Sequence, residues 1–179
     1  MLIDIFEKIH NHYKRKYYKK LLERNCGHKL PNVTVLGEIR IEACKLEICD
    51  NVILYPRVTF SGSGHIKIGR GSKIGQDCII YASSDGGVTI GDNTIIAAQT
   101  YIIDSNHNIA VNIEIVEQGL ISSPIMIGND VWIGANCSII KGAKIEDHAV
   151  IGAKSLVNSI ITEKSIAFGI PAKIHAIRT

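Results

Sequence analysis

The sequence predicts an all-β chain of short strands and tight turns, wound as a repeat behind an N-terminal helical arm. Three observations carry this reading. Aliphatic residues recur every six positions over most of the chain, Ile supplies 34 of the 179 residues, and 16 glycines punctuate them beside only ten aromatics. β-Branched side chains favour strands and glycine favours turns. Apolar residues at 46% and charged residues at 21% exclude a disordered chain. A length of 179 residues suits one domain with an appendage and is too short for two full domains. No apolar run passes about five residues, so a transmembrane helix is excluded. Asp4 and Glu7 interrupt the only N-terminal apolar cluster, which argues against a secretory signal.

The net charge of +3 hides an asymmetry. Residues 1–29 hold eight Lys/Arg against three Asp/Glu, or +5, which leaves −2 for residues 30–179. A slightly acidic main body argues against a nucleic-acid partner. The five cysteines (Cys26, Cys44, Cys49, Cys78 and Cys137) are odd in number and form no CxxC pair. They read as reduced thiols of a soluble, cytoplasmic protein.

Residues 1–29 form the arm. Leu2, Phe6, Ile9, Tyr13, Tyr17 and Leu21 recur at spacings of three or four with Lys and Arg between them, which predicts an amphipathic helix over residues 2–24. The plain reading packs this stripe on the end of the main body. The alternative makes the arm a weak basic contact for anionic lipid or an acidic polymer. Asn25, Gly27 and Pro31 supply the stop and the boundary.

Residues 30–179 carry the repeat. Its registers are Ile68, Ile74, Ile80; Ile90, Ile96, Ile102; and Ile127, Ile133, Ile139, Ile145, Ile151, Val157. Gly or Ala often follows the aliphatic, as at Gly69, Gly75, Gly91, Ala97, Gly128, Gly134 and Gly152. Four places after the aliphatic stands a small or β-branched residue, among them Ser72, Cys78, Thr94, Thr100, Val131, Cys137, Ala143, Ala149 and Ser155. No helix repeats every six residues; a short strand with a tight turn does. The placement of Cys78 and Cys137 in that column makes them core thiols.

Two interruptions break the period. Four extra residues lie between Ile80 and Ile90, and about twenty leave the repeat at 104–126. A solenoid needs neither for stability, and inserted loops usually lie on the working face. The long one opens with Asp104-Ser105-Asn106-His107 and closes on Ser123-Pro124, ahead of Val131-Trp132-Ile133-Gly134-Ala135.

The six-residue pattern resembles the hexapeptide-repeat acyltransferases, over about residues 33 to 170. That resemblance implies a left-handed parallel β-helix, three hexads to a triangular coil, with coils stacked about 4.8 Å apart. The small residue after each aliphatic then leaves room at the corner, and glycine there permits positive φ. The Asp-x-Asn-His loop, the Val-Trp-Ile-Gly turn and the closing Phe168-Gly-Ile-Pro-Ala-Lys173 narrow the resemblance to the galactoside, maltose and sialic acid O-acetyltransferases. A lone histidine in a polar loop is ordinarily a bystander. In this constellation the resemblance makes His107 the catalytic base of an acetyl-CoA-dependent O-acetyltransferase acting on a sugar hydroxyl, in a surface polysaccharide or its precursor. Imidazole titrates near neutrality, so it takes the hydroxyl proton during attack on the thioester and returns it to the thiolate. Asp104 either holds the ring or caps the turn.

By the same resemblance the N–H of Ala135 stabilises the oxyanion, and acetyl-CoA lies against Ala135, Ala153, Asn158, Ser159 and Lys173. Asp77 and Asp85 fall at acceptor contacts. Trp132 is either a surface aromatic or a wall for acceptor or pantetheine. The family implies a homotrimer with active sites between subunits, and no metal. The sequence departs from the family at Lys154, normally small, at Asn158-Ser159 in place of Thr-Lys, and at Ala176 in place of an arginine. Lys154, Lys164 or Arg178 is left to meet the CoA phosphates.

Other uses of the fold fit less well. A γ-class carbonic anhydrase requires three histidines on zinc, and Asn112 stands five residues past His107. An ice-binding solenoid would repeat Thr in flat ranks, and a serine acetyltransferase carries a larger helical domain. An amino-sugar N-acetyltransferase and an antibiotic O-acetyltransferase stay open.

Overall fold

The computed structural model describes residues 2–42 and 44–179, with side chains described from Phe6 onward. The helix Leu2–Cys26 precedes a left-handed parallel β-helix of about seven turns. The chain visits three faces in rotation. The first face stacks Thr34–Val35, Ile53–Leu54, Lys73–Ile74, Ile95–Ile96, Trp132–Ile133, Val150–Ile151 and Ser165–Gly169. The second stacks Ile39–Ile41, Val58–Gly62, Ile79–Ala82, Tyr101–Ile103, Ser138–Ile140 and Leu156–Val157. The third stacks Lys45–Ile48, His65–Ile68, Val88–Ile90, Ile125–Ile127, Lys144–Ile145 and Ile160–Ile161. A final strand, Ala172–Ile177, folds back antiparallel on Ser165–Gly169 and closes the first sheet.

The predicted registers are the inner columns. Ile74, Ile96, Ile133 and Ile151 stand in line on the first face, and Ile80, Ile102, Ile139 and Val157 on the second. Ile68, Ile90, Ile127, Ile145 and Ile161 line the third. All are buried, each worth about 1.5–3 kcal/mol of apolar transfer. The small-residue column is buried too, and its polarity has a use. Ser72 Oγ donates to Gly91 O at 2.8 Å, Thr94 Oγ1 to Gly128 O at 2.8 Å and Ser155 Oγ to Gly152 O at 2.7 Å. Cys78 and Cys137 fill the same slot, donating to Ala97 O at 3.1 Å and Gly152 O at 3.2 Å. Burial pushes both thiols up, Cys78 to about 11, so they are inert core groups.

The glycines serve the first of the two expected roles, room at the corner, and not the second, positive φ. Gly75, Gly91, Gly128, Gly134 and Gly152 do not adopt positive φ. They are small because the next coil passes directly over them: a Cβ on Gly91 would lie 2.5 Å from Gly128 O, and one on Gly134 would lie 2.5 Å from Ala153 N. Positive φ falls two residues later, at Asp77, Gln99, Asn136 and Lys154 on the corner between the first and second faces. It falls also at Asn93, Asp130, His148 and Lys164 between the third and first faces. Each of these residues donates its N–H to a carbonyl of the preceding coil at 2.7–3.1 Å, which holds the turn without glycine. Along the same third–first corner, side-chain oxygens of Asp92, Asn129 and Asp147 accept the N–H of Arg70, Asp92 and Asn129 at 2.7–2.8 Å.

The helix is where predicted, but the seam is not. Tyr18, Leu22 and Cys26 pack on the first coil, with Leu22 fully buried. Phe6, Ile9, Tyr13 and Tyr17 of the expected stripe are exposed, and the side chain of Leu2 lies outside the described residues. The periodicity is real and marks a second face.

Gly91→Ala is expected to cost about 1–3 kcal/mol in chemical denaturation, as overpacking does, whereas Gly119→Ala, whose Cβ meets nothing within 4 Å, should be silent. Equal effects would refute the close-approach account. The backbone N–H of Asn129, then its amide, holds the Asp147 carboxyl below its usual range. A depressed pKa contributes stability above the unfolded value of about 4, and that contribution disappears as pH falls through the folded value. Melting temperature should therefore drop on acidification below about pH 4, and less steeply in Asp147→Asn, which keeps the acceptor oxygen but does not ionise.

Candidate active site

The long excursion leaves the prism at the corner between the second and third faces. Ser105–His107 pairs antiparallel with Leu120–Ser122, so His107 stands opposite Leu120 on a short hairpin. The tip beyond it is tied by one side chain: Gln118 accepts from Ala110 N at 2.8 Å and donates to Ala110 O at 2.9 Å and Ile113 O at 2.7 Å. His107 is exposed and borders a cavity of about 380 Å³ whose walls include Tyr81, Tyr101, Asn106, Gln118 and Leu120. Sequence reasoning missed both tyrosines. Their signal was the outward register on the second face, where two aromatics sit on adjacent coils. Burial, then Tyr81, raises the Tyr101 phenol. At the cavity floor Ser105 Oγ is, among the described residues, the buried side-chain oxygen left without a partner.

Asp104 has a structural position. Its carboxylate is fully buried and accepts from Ser83 N at 2.9 and 3.0 Å and from Gly87 N at 2.6 Å. Ser83 Oγ donates to Ser122 Oγ at 2.7 Å. These bonds fasten the four-residue insertion to the base of the hairpin. Of the two readings of Asp104, the geometry supports the turn cap; no hydrogen bond joins it to the His107 ring among the described residues.

The remaining candidates separate by corner. Asp85, Asn158 and Ser159 are exposed on the second–third corner with His107. Asp77, Ala135 and Ala153 lie on the first–second corner, with Asp77 held by Arg57 in a bidentate pair at 2.6 and 2.7 Å. Asp77 is thus away from His107 within one chain. Trp132 points outward from the first face between Ile95 and Val150 and is 55% exposed. Lys173 is exposed on the closing hairpin opposite Phe168. The N–H of Ala135 donates to no acceptor among the described residues, and neither do those of Gln76, Ala98 and Ala153 at the equivalent places on the first–second corner. One chain therefore carries His107 on one corner and Ala135 on another.

The three open cations are distinguished by their partners. Arg178 meets Asp130 at 3.0 Å and the His148 carbonyl at 3.4 Å, and Lys164 meets Glu163 at 3.0 Å. Lys154 projects from the first–second corner beside Ala153, its N–H fixed to Ala135 O at 2.8 Å and its ammonium in no ion pair among the described residues.

The fold alone admits several activities, and comparison with known proteins narrows it to a class of transferase. Residues 124–159 match the family described as bacterial transferase hexapeptide (six repeats), and residues 65–103 match the hexapeptide repeat of succinyl-transferase. Galactoside O-acetyltransferase of Escherichia coli (strain K12) is 34% identical over 156 residues, covering 87% of this chain and 75% of its own length. A probable acetyltransferase of Mycobacterium tuberculosis (strain ATCC 25618 / H37Rv) is 36% identical over 112 residues, 62% of this chain, but this chain spans only 37% of that protein. Among solved structures, the polySia specific acetyltransferase NeuO superposes with a TM-score of 0.65 at 27% identity, covering 84% of this chain and 63% of that one. A hexapeptide-repeat acetyltransferase of Vibrio cholerae O1 biovar eltor, solved with acetyl coenzyme A, gives 0.58 at 28%, covering 64% and 61%. This chain belongs to the hexapeptide-repeat acetyltransferases.

Asp104→Ala should leave two backbone amides unpaired and cost about 1–3 kcal/mol, with faster proteolysis within 83–87 and 105–122. A fully stable variant whose pH–rate profile shifts would instead make Asp104 the ring's partner.

Proposed function

We propose that the protein transfers an acetyl group from acetyl-CoA to a sugar hydroxyl, with His107 as general base. The observation that carries this is an exposed histidine held by a hairpin at the rim of a cavity, on a fold whose relatives transfer acetyl groups. The imidazole removes the hydroxyl proton as the oxygen attacks the thioester carbonyl. The Ala135 N–H of a neighbouring copy receives the oxyanion. Collapse expels the thiolate of CoA, which takes the proton back from the imidazolium. Tyr81 and Tyr101 offer flat apolar walls to a sugar ring.

The division of the candidates between corners supports a homotrimer with each site between two copies. Exposed Ile79 and Tyr101 on the second face and Ile95 and Trp132 on the first supply apolar surface for such contacts. The acetyl-CoA groove then runs past Ala135 and Ala153 of one copy and Asn158 and Ser159 of the next, with Lys173 near its end and Asp85 on the acceptor side. We assign to Lys154 the CoA phosphates that the missing Thr-Lys pair would otherwise meet. The polySia-specific relative supports a surface polysaccharide or its precursor as acceptor. Five free thiols suit a reducing cytoplasm, and no described helix is long and apolar enough to cross a membrane.

Acetyl transfer from acetyl-CoA to a panel of hydroxyl and amino sugars, followed by mass spectrometry, tests the reaction. His107→Ala should lower kcat by roughly 10²–10⁴-fold with little change in KM for acetyl-CoA; near wild-type turnover would remove His107 from the mechanism. Lys154→Ala should raise KM for acetyl-CoA about tenfold at unchanged kcat, and Lys164→Ala should not. The reverse ranking would move the phosphates to the third–first corner.

A further inference from the structure

The body covers one face of the arm from Tyr18 to Cys26, and residues 6–17 are exposed all round. Tyr18, Leu22 and Cys26 face the first coil, where Arg15 Nε donates to Leu36 O and Lys19 Nζ to Pro31 O, each at 3.1 Å. Lys14 meets Glu38 at 3.9 Å on the same side. A helix turns about 100° per residue, which puts Phe6, Ile9, Tyr13 and Tyr17 on the opposite side. Their exposures are 73%, 51%, 67% and 63%. Beside them stand Lys16, Lys20 and Arg24, all exposed and in no ion pair among the described residues. The outward face is thus an apolar and aromatic stripe edged with cations, and residues 1–29 total +5 against −2 for the rest.

We propose that this face docks on an anionic lipid surface. An acidic polymer would satisfy the lysines but leave Phe6, Ile9 and both tyrosines in water. A second copy of the same face would cover the stripe but bring Lys16, Lys20 and Arg24 against their own equivalents. The interface of an anionic bilayer takes both features at once: apolar side chains enter the acyl boundary, phenols stay at headgroup depth, and cations meet phosphates. The slightly acidic body is repelled by the same surface, so the arm is the point of contact. This docking does not depend on the chemistry at His107.

The test uses the full chain and sedimentation with vesicles of phosphatidylcholine alone or of equal parts phosphatidylcholine and phosphatidylglycerol. Wild type should pellet with the mixed vesicles and stay in solution with the neutral ones, and high salt should release it. Tyr13→Ser with Tyr17→Ser, and separately Lys16→Gln with Lys20→Gln, should each weaken partition roughly tenfold. Circular dichroism and melting should stay close to wild type, because these side chains are exposed; if loss of the Tyr17 edge contact with Tyr18 unfolds the double variant, Phe6→Ser alone gives the same reading. Wild type that ignores anionic vesicles, or variants that bind as well as wild type, would overturn the proposal. Binding of soluble polygalacturonate in preference to vesicles would assign the arm to a polymer instead. Stripe variants that dissociate the oligomer would assign it to a second copy.

Discussion

Stacking one coil on the next at about 4.8 Å is the constraint on which the rest of this structure depends. On the first–second and third–first corners backbone passes over backbone, so the residue after the inner aliphatic is often glycine or alanine, whereas Tyr81, Ile103 and Ile140 follow it on the second–third corner. The carbonyls freed at those corners need donors, and buried Ser72, Thr94, Thr100 and Ser155 supply them. Where the chain then turns through positive φ, the side chain is thrown outward. The prism interior is closed by packed isoleucine, so chemistry is confined to these projecting corners and to the two insertions. His107 belongs to the second kind of place, Lys154 to the first.

The corner columns also explain what was legible in the sequence. A six-residue period in Ile is imposed by geometry that admits few alternatives, so the inner columns, the buried thiols of Cys78 and Cys137, and the looped-out 104–126 segment all followed from spacing. The resemblance carried the handedness. For the glycines the sequence shows the need for room but not the site of positive φ, because small size and positive φ both select glycine and only the path of the next coil separates them. The arm misled for a related reason: periodicity shows that a helix has an apolar face, not which face the body covers. Tyr18, Leu22 and Cys26 make a shorter stripe than Phe6 to Tyr17, yet they are the ones that pack.

Within the site, residue types were easier to read than their duties. Asp104 stands three residues before His107, a distance that suits a catalytic pair on paper. The fold instead turns its carboxylate inward to collect two amides of the shorter insertion. It holds the base of the hairpin that carries His107 and bonds backbone rather than the ring. Tyr81 and Tyr101 escaped notice because they are distant in sequence and become neighbours only through the register of the second face. Lys154 stands out among the open cations because its competitors have carboxylate partners, Glu163 next to Lys164 in sequence and Asp130 far from Arg178.

His107, proposed as the base, and Ala135, proposed as the oxyanion donor, lie on different corners of one prism, so the proposal requires that a working site be assembled from two copies. Mixing His107→Ala chains with Ala135→Trp chains tests this most directly. Each variant alone should be inactive, and unfolding and refolding the two together should restore part of the acetyl-transfer activity, because mixed assemblies contain interfaces with both groups intact. Mixed oligomers that form without any recovery, or a wild-type protein that sediments as a fully active monomer, would contradict it.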